Sequence, residues 1–331
     1  QSPRTILRHQ LDKIADKVPA EWRPEARGLI HEYYTPSKVA GEVARVLLPF
    51  LPELVNEAGI IPALEPSAGI GRFVNALSGP AFEAVKWAAV EYSAVSARLL
   101  AAVRPDVQVN LMPFERWVHL HEADAAGVVR LVVSNPPYGQ RGASVTEDPD
   151  RAYRESKAYA YFLRRGLDLL APLGIGVYLI PYGFLTGNNA ALRGLREKVL
   201  RRHHLMAAYR LPSDLFPGAM LVTDLLFFRA RGGELPAVLP QDHRILEGQY
   251  FKDFPAHILG KEVGKAGDDD DTSKKPRWGY EVQGEFTHLP DLVERPFCHD
   301  CAVASFRKVA RKAPPVPQVS DGELPEPVRA A

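Results

Sequence analysis

The chain has 331 residues, 46% of them hydrophobic and 24% charged, and a net charge of +1. That length suits one large α/β domain with an extension, or two modest domains, and the composition excludes collagen-like, coiled-coil and wholly disordered chains. No apolar run reaches the roughly 18 residues that a bilayer-spanning helix needs, so no membrane association is expected. The two cysteines, Cys298 and Cys301, cannot build a disulfide framework. The opening Gln1-Ser2-Pro3-Arg4 lacks the basic-then-apolar order of a secretion signal. A cytoplasmic location is therefore expected and, because the first residue is not Met, a processed chain or a piece of a longer one.

In chain order, Leu7, Leu11, Ile14 and Val18 recur at helical spacing and predict an amphipathic helix over 4–18. A second helix is expected from 36, with Thr35 as N-cap, Pro36 as first helical residue, and Val39, Val43, Val46, Leu47 and Phe50 on one face. Short apolar runs follow at 62–64, 87–90, 107–111, 131–133, 175–180 and 221–228. Helix-length stretches at 71–77, 93–103 and 159–170 separate several of them. This alternation predicts an α/β fold, a doubly wound parallel sheet with helices on both faces, whose ligands bind at the carboxyl ends of the strands. After about residue 232 the chain turns Pro-rich and charged, with an expected linker at 261–277 and a tail at 312–331. The expected organisation is an N-terminal helical segment (1–30), a catalytic domain (31–232) and a poorly regular C-terminal extension (233–331).

Two motifs carry chemistry. In Leu64-Glu65-Pro66-Ser67-Ala68-Gly69-Ile70-Gly71-Arg72-Phe73 an apolar strand runs through a small-residue turn into a helix. Position 74 is Val, not the third glycine of a dinucleotide fingerprint, so a nicotinamide-cofactor oxidoreductase is disfavoured. An acid at 65 suits a cationic ligand group such as an amino-acid ammonium. In Ser134-Asn135-Pro136-Pro137-Tyr138-Gly139, two prolines fix the backbone and remove two donors. What remains is an acceptor pair, the Asn135 side-chain oxygen and the Pro136 carbonyl, matched to a planar amino group, with Tyr138 as a flat stacking face.

These motifs, in this order over roughly residues 31–230, resemble the class I S-adenosylmethionine-dependent methyltransferases, and specifically the adenine-N6 DNA methyltransferases. The resemblance implies a Rossmann-like methyltransferase domain that takes S-adenosylmethionine and double-stranded DNA, flips adenine out of the duplex and methylates N6. It implies catalytic roles for Asn135, Pro136 and Tyr138, and cofactor contacts from Glu65, Ser67, Ala68, Gly69 and Gly71. It extends those contacts to Tyr34, Thr35 and Pro36 of Tyr33-Tyr34-Thr35-Pro36, and to Glu91 on the cofactor ribose. Leu215-Phe216-Pro217-Gly218 resembles a later motif, implying that Phe216 and Tyr138 sandwich the extruded base. In Met112-Pro113-Phe114-Glu115 proline stands where the family has an acid. Phe114 is expected to pack on the cofactor adenine, with Glu115 as the nearest carboxylate. Gln249-Tyr250-Phe251, Pro255 and Leu259-Gly260 resemble a segment of large methylase–helicase proteins of mobile elements.

Between residues 141 and 210 there are 12 Lys/Arg against 6 Asp/Glu, a local +6. Arg141, Arg151, Arg154 and Lys157, just after the proline loop, are candidates for phosphate contacts. Specificity is expected from 141–210, from 233–300, or from a specificity or helicase partner or further domains. Three other readings fit the same residues: transfer to a protein glutamine, transfer to an RNA amino group, or a non-catalytic methyltransferase-like DNA-binding module. No metal is expected. Cys298 and Cys301 form a single CxxC without a second pair, Asp268 to Asp271 read as a solvated loop, and His203-His204 read as surface or helix-capping residues. Tyr159, Tyr161 and Phe162 read as core.

Overall fold

The computed structural model describes residues 34–139, 147–216, 220–264 and 280–297. Helix α1 (Ser37–Leu47) opens the described chain, with Pro36 at its N-cap and no side-chain cap bond, so Thr35 lies one residue outside the expected capping position. Val39, Val43, Val46 and Leu47 are buried as one stripe, as their spacing predicts. A short α2 (Leu51–Leu54) leads into β1 (Ile61–Glu65). The chain then alternates: α3 (Arg72–Ala76), β2 (Val85–Glu91), α4 (Ala94–Val103), β3 (Gln108–Leu111), α5 (Phe114–Ala125), β4 (Val129–Ser134), α6 (Ala158–Asp168), β5 (Leu170–Pro181), α7 (Ala190–Arg202), β6 (His203–Arg210) and β7 (Thr223–Ala230).

The strands form one seven-stranded sheet in the order β3-β2-β1-β4-β5-β7-β6. The pairs from β3 to β5 are parallel, and β7 runs antiparallel to both β5 and β6. The sheet is therefore mixed rather than wholly parallel. Among the described residues no helix stands between β6 and β7 to carry a crossover, and the two strands pair antiparallel. The expectation also missed β6. His203 and His204, expected as surface or helix-capping residues, begin this strand and are buried, with His203 standing at the C-cap of α7. Here the last turn of α7, Arg201-Arg202, passes directly into the strand, and two polar residues mask its start.

Strand side chains alternate between two cores. Ala63, Leu131, Val133, Val177 and Phe227 pack with α1 and α3 on one face. Leu64, Val132, Tyr178 and Phe228 pack with α5, α6 and α7 on the other, where Tyr159, Tyr161 and Phe162 are core as expected. Helix α6 lies very close to β5. A Cβ at Gly166 would stand 2.1 Å from the Tyr178 hydroxyl, which an L side chain cannot tolerate.

The described part of the extension, 233–264 and 280–297, is bound into this fold. Helices α8 (His243–Leu246) and α9 (Tyr250–Asp253) bury Ile245, Leu246, Tyr250 and Phe251 in the second core. Strands β8 (Lys261–Val263) and β9 (Glu281–Gln283) pair with each other, and Phe286, Leu289 and Leu292 complete the first core. Arg229 on β7 bonds Glu53 and Glu294, and Arg45 on α1 bonds Asp291 and the Leu289 carbonyl, so residues 280–297 act as a strap from the sheet edge back to α1. No helix among the described residues is long and apolar enough to cross a membrane. The expected helix at 4–18, Asp268 to Asp271, Cys298, Cys301 and the tail lie outside the described residues.

Candidate active site

The carboxyl ends of β1, β2 and β4 lie side by side, and both motifs sit there. β1 delivers Glu65 into a tight turn in which Gly69 (φ +53°) and Gly71 (φ +77°) take left-handed conformations. Gly71 is required twice over. Its φ disfavours any L side chain, and a Cβ there would meet Leu100 Cδ1 at 2.3 Å. Tyr34 packs its ring over Gly69 and hydrogen-bonds the Ser96 hydroxyl at 3.1 Å, so the segment before α1 closes onto the turn. Thr35 and Ala68 are buried beside it, and Pro36 is half-buried.

Two carboxylates face this turn in different states. Each oxygen of Glu91 accepts a short backbone bond, from Gly69 N–H and from Ser93 N–H, both at 2.6 Å. Each carboxylate oxygen can accept more than one hydrogen bond, so these two backbone bonds do not by themselves exclude ribose hydroxyls. Glu65 is only 2% exposed, and its Oε2 has no hydrogen-bond partner among the described residues. Burial pushes its carboxyl well above the ordinary carboxylate range; a Val74 backbone N–H pulls it partly back, and Glu91 pushes it up again. A buried, orphaned acceptor is unfavourable unless a donor arrives. A ligand ammonium would supply that donor with a matching charge. The glycine turn, Glu91 and Glu65 thus fit an amino-acid nucleoside such as S-adenosylmethionine.

The proline loop is joined directly to the glycine turn. Ser67 Oγ lies 2.8 Å from Ser134 Oγ and donates to the Asn135 carbonyl at 3.1 Å. Ser134 was not anticipated as a site residue; its signal is a small hydroxyl at the end of an otherwise apolar strand. Tyr138 turns inward. It is 8% exposed, and its hydroxyl lies 2.6 Å from Asn135 Oδ1 and 3.2 Å from the Leu179 carbonyl. Pro136 is buried and Pro137 exposed. The Gly139 carbonyl accepts from Ala158 N–H, which ties the loop to the start of α6.

The structure does not bring every expected residue to this edge. Phe216 is 2% exposed and belongs to the first core, whereas Tyr138 belongs to the second. A ring packed on that opposite face offers no surface for a base beside Tyr138. Pro217 and Gly218 lie outside the described residues. Phe114 is also 2% exposed, its faces taken by Trp117, Tyr161 and Phe162 at centroid distances of 5.0–6.2 Å. Glu115 is buried in the first turn of α5; burial and Asp148 raise the Tyr161 hydroxyl pKa, and Glu115 adds to the same shift. The open aromatic at this end is Tyr92, next to Glu91 and 70% exposed, which sequence reasoning passed over. A solitary aromatic after a strand-ending acid was the available signal. An apolar groove of 380 Å³ lined by Leu51, Ile61, Phe82 and Val85 lies at the opposite, amino ends of β1 and β2.

The basic excess of 141–210 is largely internal. Arg165 pairs with Asp148 and Glu122, Arg164 and Lys198 with Glu155, Arg202 with Asp168, Arg193 with Glu247, and Arg201 with Glu234. Arg196 is buried on backbone carbonyls, and Arg210 on Asp224. Arg151 and Arg154 are exposed and Lys157 is half-buried just before α6, while Arg141 lies outside the described residues. Among the described residues no group of three or more His, Cys, Asp or Glu could hold a metal.

Residues 105–216 match the Eco57I restriction-modification methylase family. The chain is 29% identical over 243 residues to "Defense against restriction protein B" of Escherichia phage P1, a match covering 72% of this chain and 10% of the phage protein. Its fold is similar to a crystal structure described as a modification subunit of a type I restriction enzyme from Vibrio vulnificus, with a TM-score of 0.52 and 18% identity. That match covers 69% of this chain and 49% of the other. It also resembles a type I restriction-modification methyltransferase subunit from Streptococcus thermophilus, with a TM-score of 0.49 and 18% identity over 60% of this chain and 45% of the other. The strand order and the likeness to the Vibrio vulnificus structure show a Rossmann-like methyltransferase fold, and within it residues 105–216 match a restriction-modification methylase family.

Proposed function

We propose that this chain binds S-adenosylmethionine at the glycine turn and transfers its methyl group to the N6 amino group of adenine in DNA. The observation that carries the reading is the bond from Ser67 to Ser134 and Asn135, which joins the cofactor turn to the acceptor loop. Glu65 would receive the ligand ammonium, Glu91 the ribose hydroxyls and Tyr92 the adenine ring. When bound, the cofactor supplies an activated sulfonium methyl, so this chain has to position the acceptor rather than generate a nucleophile. Asn135 and the Pro136 carbonyl accept hydrogen bonds from the amino group and aim its nitrogen lone pair at the methyl carbon. Base extrusion takes a few kcal/mol, and one aromatic stack is worth about 1–3 kcal/mol. Tyr138 supplies that face only once the loop opens. Arg151 and Arg154 hold phosphates beside the loop and give a salt-dependent affinity.

A second reading, a methyltransferase-like module that binds without turnover, is favoured by one observation. The three rings expected to hold adenines, at 114, 138 and 216, are all buried. Calorimetry with S-adenosylmethionine, followed by transfer of labelled methyl to unmethylated duplex DNA, separates the two. Saturable binding with label in DNA, lost in Asn135→Ala, is the expected result. Saturable binding without label in DNA selects the second reading.

A further inference from the structure

We propose that the Ser67 side chain is a positioning group for the acceptor loop rather than a cofactor contact, holding the peptide plane that joins Asn135 to Pro136. This inference rests on the function proposed above and reassigns a residue that the family resemblance places on the cofactor. Two hydroxyls and one carbonyl meet where β1 and β4 end. Ser67 Oγ lies 2.8 Å from Ser134 Oγ and 3.1 Å from the Asn135 main-chain oxygen. The carbonyl can only accept, so Ser67 donates to it.

Ser134 is fully buried, and a buried hydroxyl hydrogen without an acceptor is costly. Among the described residues its hydroxyl is bonded to Ser67 Oγ. Both hydrogens are therefore placed when the chain of bonds runs from Ser134 to Ser67 to the Asn135 carbonyl. In the reverse sense, with Ser67 donating to Ser134, the Ser134 hydrogen is left without an acceptor among these groups. The strand itself asks for no hydroxyl at 134, since Leu131, Val132 and Val133 before it are fully buried and apolar.

The Asn135–Pro136 peptide has no N–H, so its carbonyl oxygen is the one hydrogen-bonding handle by which the plane can be held. That plane links the Asn135 Cα, which carries the carboxamide, to Pro136, whose own carbonyl is the second acceptor. The proline ring fixes φ on one side of it, and the Ser67 bond restrains ψ of Asn135 on the other. Ser67 itself is mounted on a turn whose backbone is tied down. Ala68 N–H donates to the Val90 carbonyl at 2.9 Å, and Gly69 N–H to Glu91 at 2.6 Å. The acceptor pair is thereby set against the same turn that would hold the methyl donor. A cofactor carboxylate would need a donor at this point, and the Ser67 hydrogen is already placed on the loop.

The test uses Ser67→Ala and Ser134→Ala in the full chain, with thermal midpoints to verify folding. Transfer to unmethylated duplex DNA at saturating S-adenosylmethionine gives kcat, and calorimetry without DNA gives the cofactor Kd. Ser67→Ala is expected to lower kcat about tenfold and to leave the cofactor Kd within about twofold. Ser134→Ala, which stands behind Ser67 in the chain of bonds, is expected to lower kcat by less, again at unchanged Kd. Full kcat in Ser67→Ala, a larger loss in Ser134→Ala than in Ser67→Ala, or a cofactor Kd weakened about tenfold in either overturns the proposal. If wild-type protein binds cofactor but methylates no DNA, the proposed reaction fails, and the positioning role is then read without turnover. The sequence contains one Asn–Pro bond, Asn135–Pro136, so ¹³C-carbonyl asparagine combined with ¹⁵N-proline isolates this plane by NMR. Its carbonyl carbon should move to lower frequency in Ser67→Ala, the sense of a lost hydrogen bond. A carbonyl that stays in place or moves the other way overturns the role whatever the reaction.

Discussion

Glu65 is the residue whose chemistry is most strongly set by its surroundings. Burial first, and Glu91 second, raise its carboxyl, with Val74 opposing. The folded chain therefore holds a proton that the unfolded chain releases in the ordinary carboxylate range. Stability should fall as pH climbs from that range towards the folded value, the reverse of a salt-bridged acid. Glu65→Gln should remove this fall, seen as a flatter profile of thermal midpoint against pH. The same variant should weaken S-adenosylmethionine binding by at least about tenfold, because a bound ammonium favours the ionised form of Glu65 and an amide has no such form, and calorimetry reads this directly. Asn135→Ala should raise the transfer barrier by about 2–4 kcal/mol, measured as kcat at saturating cofactor. Both residues were legible in the sequence, since each stands at the end of an apolar strand beside turn-forming residues. The state of Tyr138 was not. Whether an aromatic beside a proline loop faces solvent or core depends on its partners across the sheet, here Leu179 from 41 positions away.

Among the elements, the turn from β1 to α3 and the packing of α6 on β5 are the least tolerant of change. At Gly71 an alanine meets both a left-handed φ and Leu100, which is fully buried and has little room to retreat. Gly71→Ala should destabilise the fold by about 1–3 kcal/mol, read by denaturant titration, with loss of cofactor affinity in what remains folded. The parallel strands were legible because each is a short apolar run between helix-length stretches. β6 was hidden because His203-His204-Leu205 follows a basic helix end without a turn residue, and period alone does not separate a buried strand from a continuing helix. The histidines are tolerated there as neutral rings. His203 Nε2 pairs with Asp168 at 2.7 Å, and His204 Nε2 donates to the Arg295 carbonyl at 3.0 Å.

On the scale of the whole molecule, the described residues of the extension belong to the fold they follow. The 280–297 strap fills gaps in the first core with Phe286, Leu289 and Leu292, and Arg229 and Arg45 pin it. Leu289→Ala should cost about 2–5 kcal/mol, the range for a buried leucine, and calorimetric unfolding measures it. Acid should loosen the same contact. Burial pushes His204 down to about 4, opposed in part by Asp242, and the ring packs edge-on against Phe297. Its contribution is complete above an ordinary histidine value and is lost as pH falls from there towards 4. His204→Gln should flatten stability over that window, opposite in sign to the Glu65 effect. Composition after residue 232 suggested a loose appendage because its apolar residues are sparse and aperiodic. Ile245, Leu246, Tyr250, Phe251, Phe286, Leu289 and Leu292 nevertheless fill sites on the sheet that only the folded topology creates. The charge count misled in the same way, since most cations of 141–210 are spent on internal carboxylates. The measurement that tests the central claim most directly is the identity of the methylated product. Unmethylated duplex DNA is incubated with the chain and methyl-labelled S-adenosylmethionine, digested to nucleosides and separated. Label in N6-methyldeoxyadenosine, absent with Asn135→Ala, is the predicted result. Saturable cofactor binding with no labelled nucleoside would contradict it.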